Sequence, residues 1–249
     1  MMKRTLINQI VRAALLVPMC LIAFSFVSCS GDDDDDDDIT LTADTSADDT
    51  SDDEETTSSE TSDDEATSSG TTYINGYAAV DLGLSVKWAT CNVGADSPED
   101  YGDYYAWGET ETKDSYTSDN SVTYRVEMDD IAGNAEYDAA TANWGSSWRM
   151  PTCDETEELY GCKWTWTTEN DVNGYLVTGS NGNSIFLPAA GWRYGTSLYS
   201  WGGYGTYWSS TPHGSDTLNA YCLAFTSSGR SFMFGDTRFY GRSVRPVSE

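Results

Sequence analysis

Ser209, Ser210, His213 and Asp216 fall within eight residues of one stretch, TYWSSTPHGSD, and His213 is the only histidine of the chain. Serine, histidine and aspartate are the nucleophile, base and orienting acid of a hydrolytic triad. A triad draws its members from separated segments, so that the base meets the nucleophile on one side and its carboxylate on the other. Three partners on one run of strand and turn do not reach that geometry, and no G-x-S-x-G elbow occurs in the chain. Pro212, His213, Gly214 and Ser215 read as a turn that leaves the imidazole exposed.

Two other residue sets have chemical potential. Cys91, Cys153, Cys162 and Cys222 follow the N-terminal region, and four cysteines allow three complete pairings. A Cys153–Cys162 bridge is disfavoured: the two bracket a helical pattern, whose length of roughly 13 Å exceeds the Cα separation of about 7 Å that a disulfide tolerates. No spacing matches a CxxC zinc site, so buried thiols or structural disulfides are expected. Asp96, Glu99, Asp100, Asp103, Glu109 and Glu111 crowd one segment, and calcium takes six to eight oxygens. Their order does not match an EF-hand loop. They read as solvated loop acids, with no metal ligand assigned; a structural calcium is the one cofactor the pattern leaves open.

Aromatic residues are the stronger signal. GWRYGTSLYSWGGYGTYW, Gly191–Trp208, holds seven aromatic residues in 18, broken by glycines. Aromatic rings and arginine dominate binding surfaces when exposed, and equally fill cores when buried. Trp148, Trp164, Trp192 and Trp208 are expected in the core. Tyr194, Tyr199, Trp201, Tyr204, Arg230, Phe232 and Arg238 are expected to be exposed together as a ligand-binding face near the C-terminus.

The elements that would carry these residues follow from local pattern. GYAAVDLG and VKWATCNVG read as an opening strand pair, and Ala135–Trp144 has helical character. PTCDETEELYG starts a helix: Thr152 is its N-cap, Glu155 completes a capping box and Gly161 ends it. KWTWTT, GYLVTG, SIFLP, NAYCLAF and FMF then read as short strands, with turns at SNGN and TSSGRS. Two short helices followed by many short strands make an α+β domain over residues 73–249.

The N-terminus is of another kind. Lys3, Arg4 and Arg12 precede a 15-residue apolar run, Ala13–Val27, too short to span a bilayer. Residues 1–28 therefore read as a signal peptide. It ends in FVSC, which resembles a bacterial lipobox, making Cys29 the lipidated residue and the membrane the first partner. Residues 29–72 follow as a stalk with 18 acids and no Lys or Arg, too polar to build a core. That acidic run resembles the surface-export signal of Bacteroidetes lipoproteins, which implies an outer-membrane lipoprotein facing outward. The 23 acids that remain face 10 Lys and Arg, a net charge of −13 for the folded part. Such a balance argues against nucleic-acid partners.

The blocks YAAVDLGLSVKWATCNVGADSPEDYGDYYAWGET, WGSSWRMPTCDETEEL, GYLVTGSNGNSIFLPAAGWR, GTYWSST and GRSVRPV resemble, in this order, the Fibrobacter succinogenes major paralogous domain family. More distantly, WRMPTCDETEEL and GRSVRPV are similar to blocks of formylglycine-generating-enzyme-like proteins. The resemblance implies a C-type-lectin-like fold, with two short helices, small twisted antiparallel sheets and long loops. The lipobox, the acidic stalk and the aromatic-rich Gly191–Tyr240 segment together point to a lipid-anchored binding module that takes a protein or glycan ligand through its C-terminal loops, rather than an enzyme. A formylglycine-generating-enzyme-like oxidase is one alternative, though its cysteine pair does not map onto this chain. A structural surface component without a specific ligand is another.

Overall fold

A computed structural model describes residues 70–249, except for the side chains of residues 231–233. The signal peptide, Cys29 and nearly all of the acidic stalk lie outside the described residues.

The chain enters through a hairpin. β1 (Thr71–Ile74) pairs antiparallel with β2 (Tyr77–Val80), and Asn75 and Gly76 turn between them with φ of 48° and 86°. Two consecutive positive φ values suit the twist of a two-residue hairpin turn, and Asn-Gly adopts them at little cost. Folded structure thus takes in Thr71 and Thr72, assigned above to the stalk. β2 continues to β3 (Lys87–Ala89), and β3 pairs in turn with β12 (Val247–Ser248), so the first sheet joins the two ends of the domain.

Two short helices follow a long connection. Helix α1 (Ala139–Trp144) is capped by Asp138, whose buried carboxylate accepts the N–H groups of Ala140 and Thr141 as well as those of Gly133 and Met150. Because Asp138 caps there, the residues from 135 to 138 stay outside the helix expected over Ala135–Trp144. Helix α2 (Cys153–Tyr160) has the expected capping box and ends at Gly161. Glu155 also receives both terminal nitrogens of Arg149, at 2.7 and 2.5 Å.

The rest is β structure in small antiparallel sheets. β4 (Lys163–Glu169), β5 (Val172–Thr178) and β6 (Ser184–Pro188) form one meander. β7 (Trp192–Tyr194) and β8 (Ser197–Tyr199) form a short hairpin. β9 (Tyr204–Pro212), β10 (Asn219–Thr226) and β11 (Gly229–Thr237) form a third sheet with β10 in the centre. The architecture is α+β: mostly small antiparallel sheets with two short helices. No helix among the described residues is long and apolar enough to cross a membrane.

Tryptophans stitch the core as well as fill it. Trp107, Trp148 and Trp208 are fully buried, and each donates its indole N–H to a distant carbonyl: Ser209, Ile74 and Tyr105 respectively, at 2.9, 3.0 and 2.9 Å. A buried indole usually finds such a partner; Trp88 is the exception, buried with its N–H unpaired among the described residues. Trp164 and Trp192, also expected in the core, are half-buried.

Burial opposes ionisation of Glu155, but the Arg149 pair and the Thr152 N–H overcome it and hold its carboxyl below the ordinary value of 4.5. An acid with a depressed folded pKa stabilises above its unfolded value, and that contribution is lost as pH falls through the folded value. Glu155→Gln is therefore expected to cost about 1–3 kcal/mol at neutral pH. The same variant should show a shallower loss of stability below the ordinary carboxylate range, measured by urea unfolding across pH.

Candidate functional site

The triad residues sit on β9 and the turn after it, as the sequence suggested, and they are not joined. Ser209 Oγ donates to the Tyr221 carbonyl, and Ser210 is buried without a partner for its hydroxyl. The Asp216 carboxylate accepts from the Leu218 N–H and Asn219, which hold its pKa below the usual range. The His213 ring packs on the edge of Tyr221, with ring centroids 4.7 Å apart, so it is half-buried rather than fully exposed. The one bond between them is structural: the Asp216 N–H donates to the His213 carbonyl at 3.0 Å within the turn, and among the described residues no hydrogen bond joins the His213 ring to either serine or to the Asp216 carboxylate.

The four described cysteines, Cys91, Cys153, Cys162 and Cys222, are free. Cys153 opens α2, Cys162 follows it, Cys222 lies in β10, and Cys91 falls two residues past β3 rather than within a strand. Burial pushes the Cys153 thiol up to about 11 and the Cys222 thiol up to about 12. The thiolate is the reactive form, so burial lowers its fraction at both cysteines at neutral pH. Four of the six crowded acids disperse into separate contacts. Glu109 pairs with Lys113, Glu99 accepts from Asn170, Asp100 from the Ser97 N–H, and Asp103 from the Tyr105 hydroxyl. Among the described residues no three acidic, cysteine or histidine side chains gather to hold a metal ion.

The aromatic residues do converge. The β7–β8 hairpin places Trp192 opposite Tyr199, and their rings stack at 4.9 Å. Tyr240 leans on Trp192 at 4.8 Å and on Tyr194 at 5.6 Å, and Phe239 continues the row. After β8 the chain reverses at Ser200, whose φ is 56°, and presents Trp201 at the tip of the turn. Tyr194, Tyr199 and Trp201 are 47%, 40% and 64% exposed. Trp201 has no ring partner among the described residues. Its turn is nonetheless anchored: Gly202 donates to the Ala189 carbonyl at 2.7 Å, Asn173 donates to the Gly202 carbonyl, and Tyr204 N–H returns to Ser200.

Gly191 makes this arrangement possible. Its φ is 71°, and a Cβ there would collide with the Tyr199 carbonyl and the Trp201 backbone. The hairpin and the turn fold back over a position that only glycine fits.

Between the turn and β11 lies an open cleft of about 640 Å³, walled by Trp192, Trp201, Tyr204 and Tyr240 and carrying the ion pair of Asp236 and Arg242. Asp236 also accepts the Thr237 N–H at 2.6 Å. Arg242 is buried, with its guanidinium 4.9 Å from the Trp208 ring centroid and 5.9 Å from that of Tyr240.

The expected face is thus assembled in part. Tyr194, Tyr199 and Trp201 are exposed at the cleft or beside it, whereas Tyr204, also expected to be exposed, is half-buried where β9 begins and lines the cleft wall. Arg230 lies elsewhere, against the rings of Tyr160 and Trp164, with a bond to the Tyr160 carbonyl. The Phe232 side chain lies outside the described residues. Arg238 is a correction: it is 1% exposed, not a surface residue. Its guanidinium stacks on Trp107 at 4.3 Å and donates to the carbonyls of Thr123, Val126, Asp216 and Asn219. Four backbone acceptors and a ring face replace water around the charge.

Trp192, Asp236, Tyr240 and Arg242 were not among the candidates. Trp192 had a readable signal, since strand alternation puts it on the same face as Tyr194. The pairing of Asp236 with Arg242 had none, because it depends on how the chain bends after β11. Comparisons with family models, with curated proteins and with solved structures give no match.

Arg238→Ala would leave the Val126 and Asp216 carbonyls without their guanidinium donor, take one of two donors from the Thr123 and Asn219 carbonyls, and open a void above Trp107. It is expected to cost at least about 3 kcal/mol and to lower Tm by roughly 10 °C in thermal unfolding. Cys222 should resist iodoacetamide in the folded protein and react on unfolding, read by intact mass.

Proposed function

We propose that the chain is a binding module that holds its ligand in the aromatic cleft between the Ser200–Tyr204 turn and β11. The observation that carries this reading is Trp201: a large ring 64% exposed, at the rim of a concave aromatic cleft, on a turn fixed by hydrogen bonds. Leaving an indole in water forgoes the gain of burying it. A fixed ring beside a cleft of this size is the arrangement that ligand sites use, since clefts of about 300–1,000 Å³ with apolar walls and a few polar groups take most small ligands. The rigid turn lowers the ordering cost of binding.

The N-terminal features give the module its setting. In this reading Cys29 carries the lipid, residues 29–72 are the stalk, and the domain faces outward from the outer membrane. The block resemblance to the Fibrobacter succinogenes major paralogous family, and through it to C-type-lectin-like domains, is consistent with a non-catalytic protein or glycan binder. The small sheets and two helices suit that fold. The dispersed triad residues and high thiol pKa values give no support to hydrolase or oxidase chemistry at those positions.

A glycan and protein array probed with the chain and with Trp201→Ala tests the reading. At least one ligand should be retained by the wild type and lose about tenfold or more in affinity on substitution, with unchanged circular dichroism. Retention that is indifferent to Trp201 would remove the cleft as the site.

A further inference from the structure

The polar content of the cleft narrows the ligand class. Among the described residues Asp236 and Arg242 are the only charged ones that line it, and they contact each other. Their charges cancel locally, so the cleft offers an incoming ion no uncompensated opposite charge. The folded part as a whole carries a net charge of −13, which works against polyanions approaching it.

Hydrogen-bonding capacity is what remains. A carboxylate presents about four acceptor positions. Asp236 uses one for the Thr237 N–H and one for Arg242, and its side chain is 23% exposed. Spare acceptor positions therefore face a half-open cleft. The hydroxyls of Ser200, Tyr204 and Tyr240 lie on residues lining the same space, and a hydroxyl both donates and accepts; that of Thr226 is already engaged with Ser228 and Gly229. The walls are flat aromatic faces, and Trp201 has an unoccupied one. A ligand that matches all three features has apolar C–H faces, many hydroxyls and no charge.

We infer that the cleft takes a neutral glycan, with one sugar ring stacked on Trp201 and a hydroxyl donated to Asp236. This rests on the binding-module reading and specifies its ligand. The cleft volume of about 640 Å³ exceeds what one small ring needs, so the occupant is an oligosaccharide stretch. The Asp236–Arg242 pair fixes the carboxylate before the sugar arrives. Removing the pair's charge while keeping its shape therefore acts on sugar recognition more than on stacking.

Affinity electrophoresis of the chain through gels containing neutral polysaccharides (soluble starch, xylan, mannan, mixed-linkage β-glucan) or uronate polymers (polygalacturonate, alginate) tests this. At least one neutral polymer should retard the chain and the uronates should not. Retardation should persist at high salt, because no net charge is exchanged. Trp201→Ala should weaken it about tenfold and Asp236→Asn roughly fivefold. Should Asp236→Asn fail to fold, Trp201→Ala and the neutral-to-uronate comparison still decide. Retardation by no neutral polymer, preference for a uronate, or neutral binding indifferent to Trp201 overturns the inference. If a protein ligand depends on Trp201 while no neutral polymer retards the chain, the glycan assignment fails and the binding module stands. If nothing depends on Trp201, both fall.

Discussion

Arg238 and Arg245 are buried cations with no carboxylate in contact among the described residues, and much of the domain is arranged around supplying them with acceptors, although Arg245 Nη2 finds none there. Arg238 gathers carbonyls from the segments at 123–126 and 216–219. Arg245 takes the carbonyls of Ala89 and Thr90 and the side-chain oxygen of Asn92. A guanidinium withdrawn from water needs such acceptors, and loops are where free carbonyls occur. The long stretches between short elements are thereby pinned to one C-terminal segment. That segment also runs beside β9, where Trp208 N–H donates to the Ser243 carbonyl, and beside the 89–93 stretch, where Val93 N–H donates to Val244. Removing it would release the loops and uncover the tryptophan core together.

The cleft depends on the same segment at one remove. Arg242 lies between the two buried arginines in sequence, exchanges backbone hydrogen bonds with Tyr105, and meets Asp236 at the end of β11. Tyr240, two residues earlier, reaches Trp192 and so braces the β7–β8 hairpin. Gly241 bonds to Arg193 in both directions and closes the hairpin against the segment. Scaffold and site thus alternate along one stretch of chain, with buried cations under the domain and a ring and a carboxylate toward the cleft.

Local chemistry was legible in the sequence and long-range chemistry was not. Thr152 and Glu155 specify their helix start within three residues, and α2 begins as expected. The meander of β4, β5 and β6 follows from alternating strands and an SNGN turn. β1 escaped because a polar, exposed strand resembles a stalk, although Asn75-Gly76 marks its turn. Tyr194, Tyr199, Trp201 and Tyr204 gather as expected because one hairpin and one turn hold them all. Arg238 misled because its burial depends on carbonyls more than 100 residues away in the chain, at Thr123 and Val126. No local pattern distinguishes such an arginine from a surface one.

The turn that carries Trp201 is held by main-chain atoms: Gly202 to Ala189, Asn173 to the Gly202 carbonyl, Tyr204 to Ser200. None of those bonds uses the side chain at position 201. The residue there can change without disturbing the turn, whereas Arg238 or Gly191 cannot change without disturbing the fold. The exposed ring at the rim of the cleft and the contacts that hold the fold are thus assigned to different positions, so the cleft's outer wall can be altered at residue 201 without touching the bonds that shape the turn.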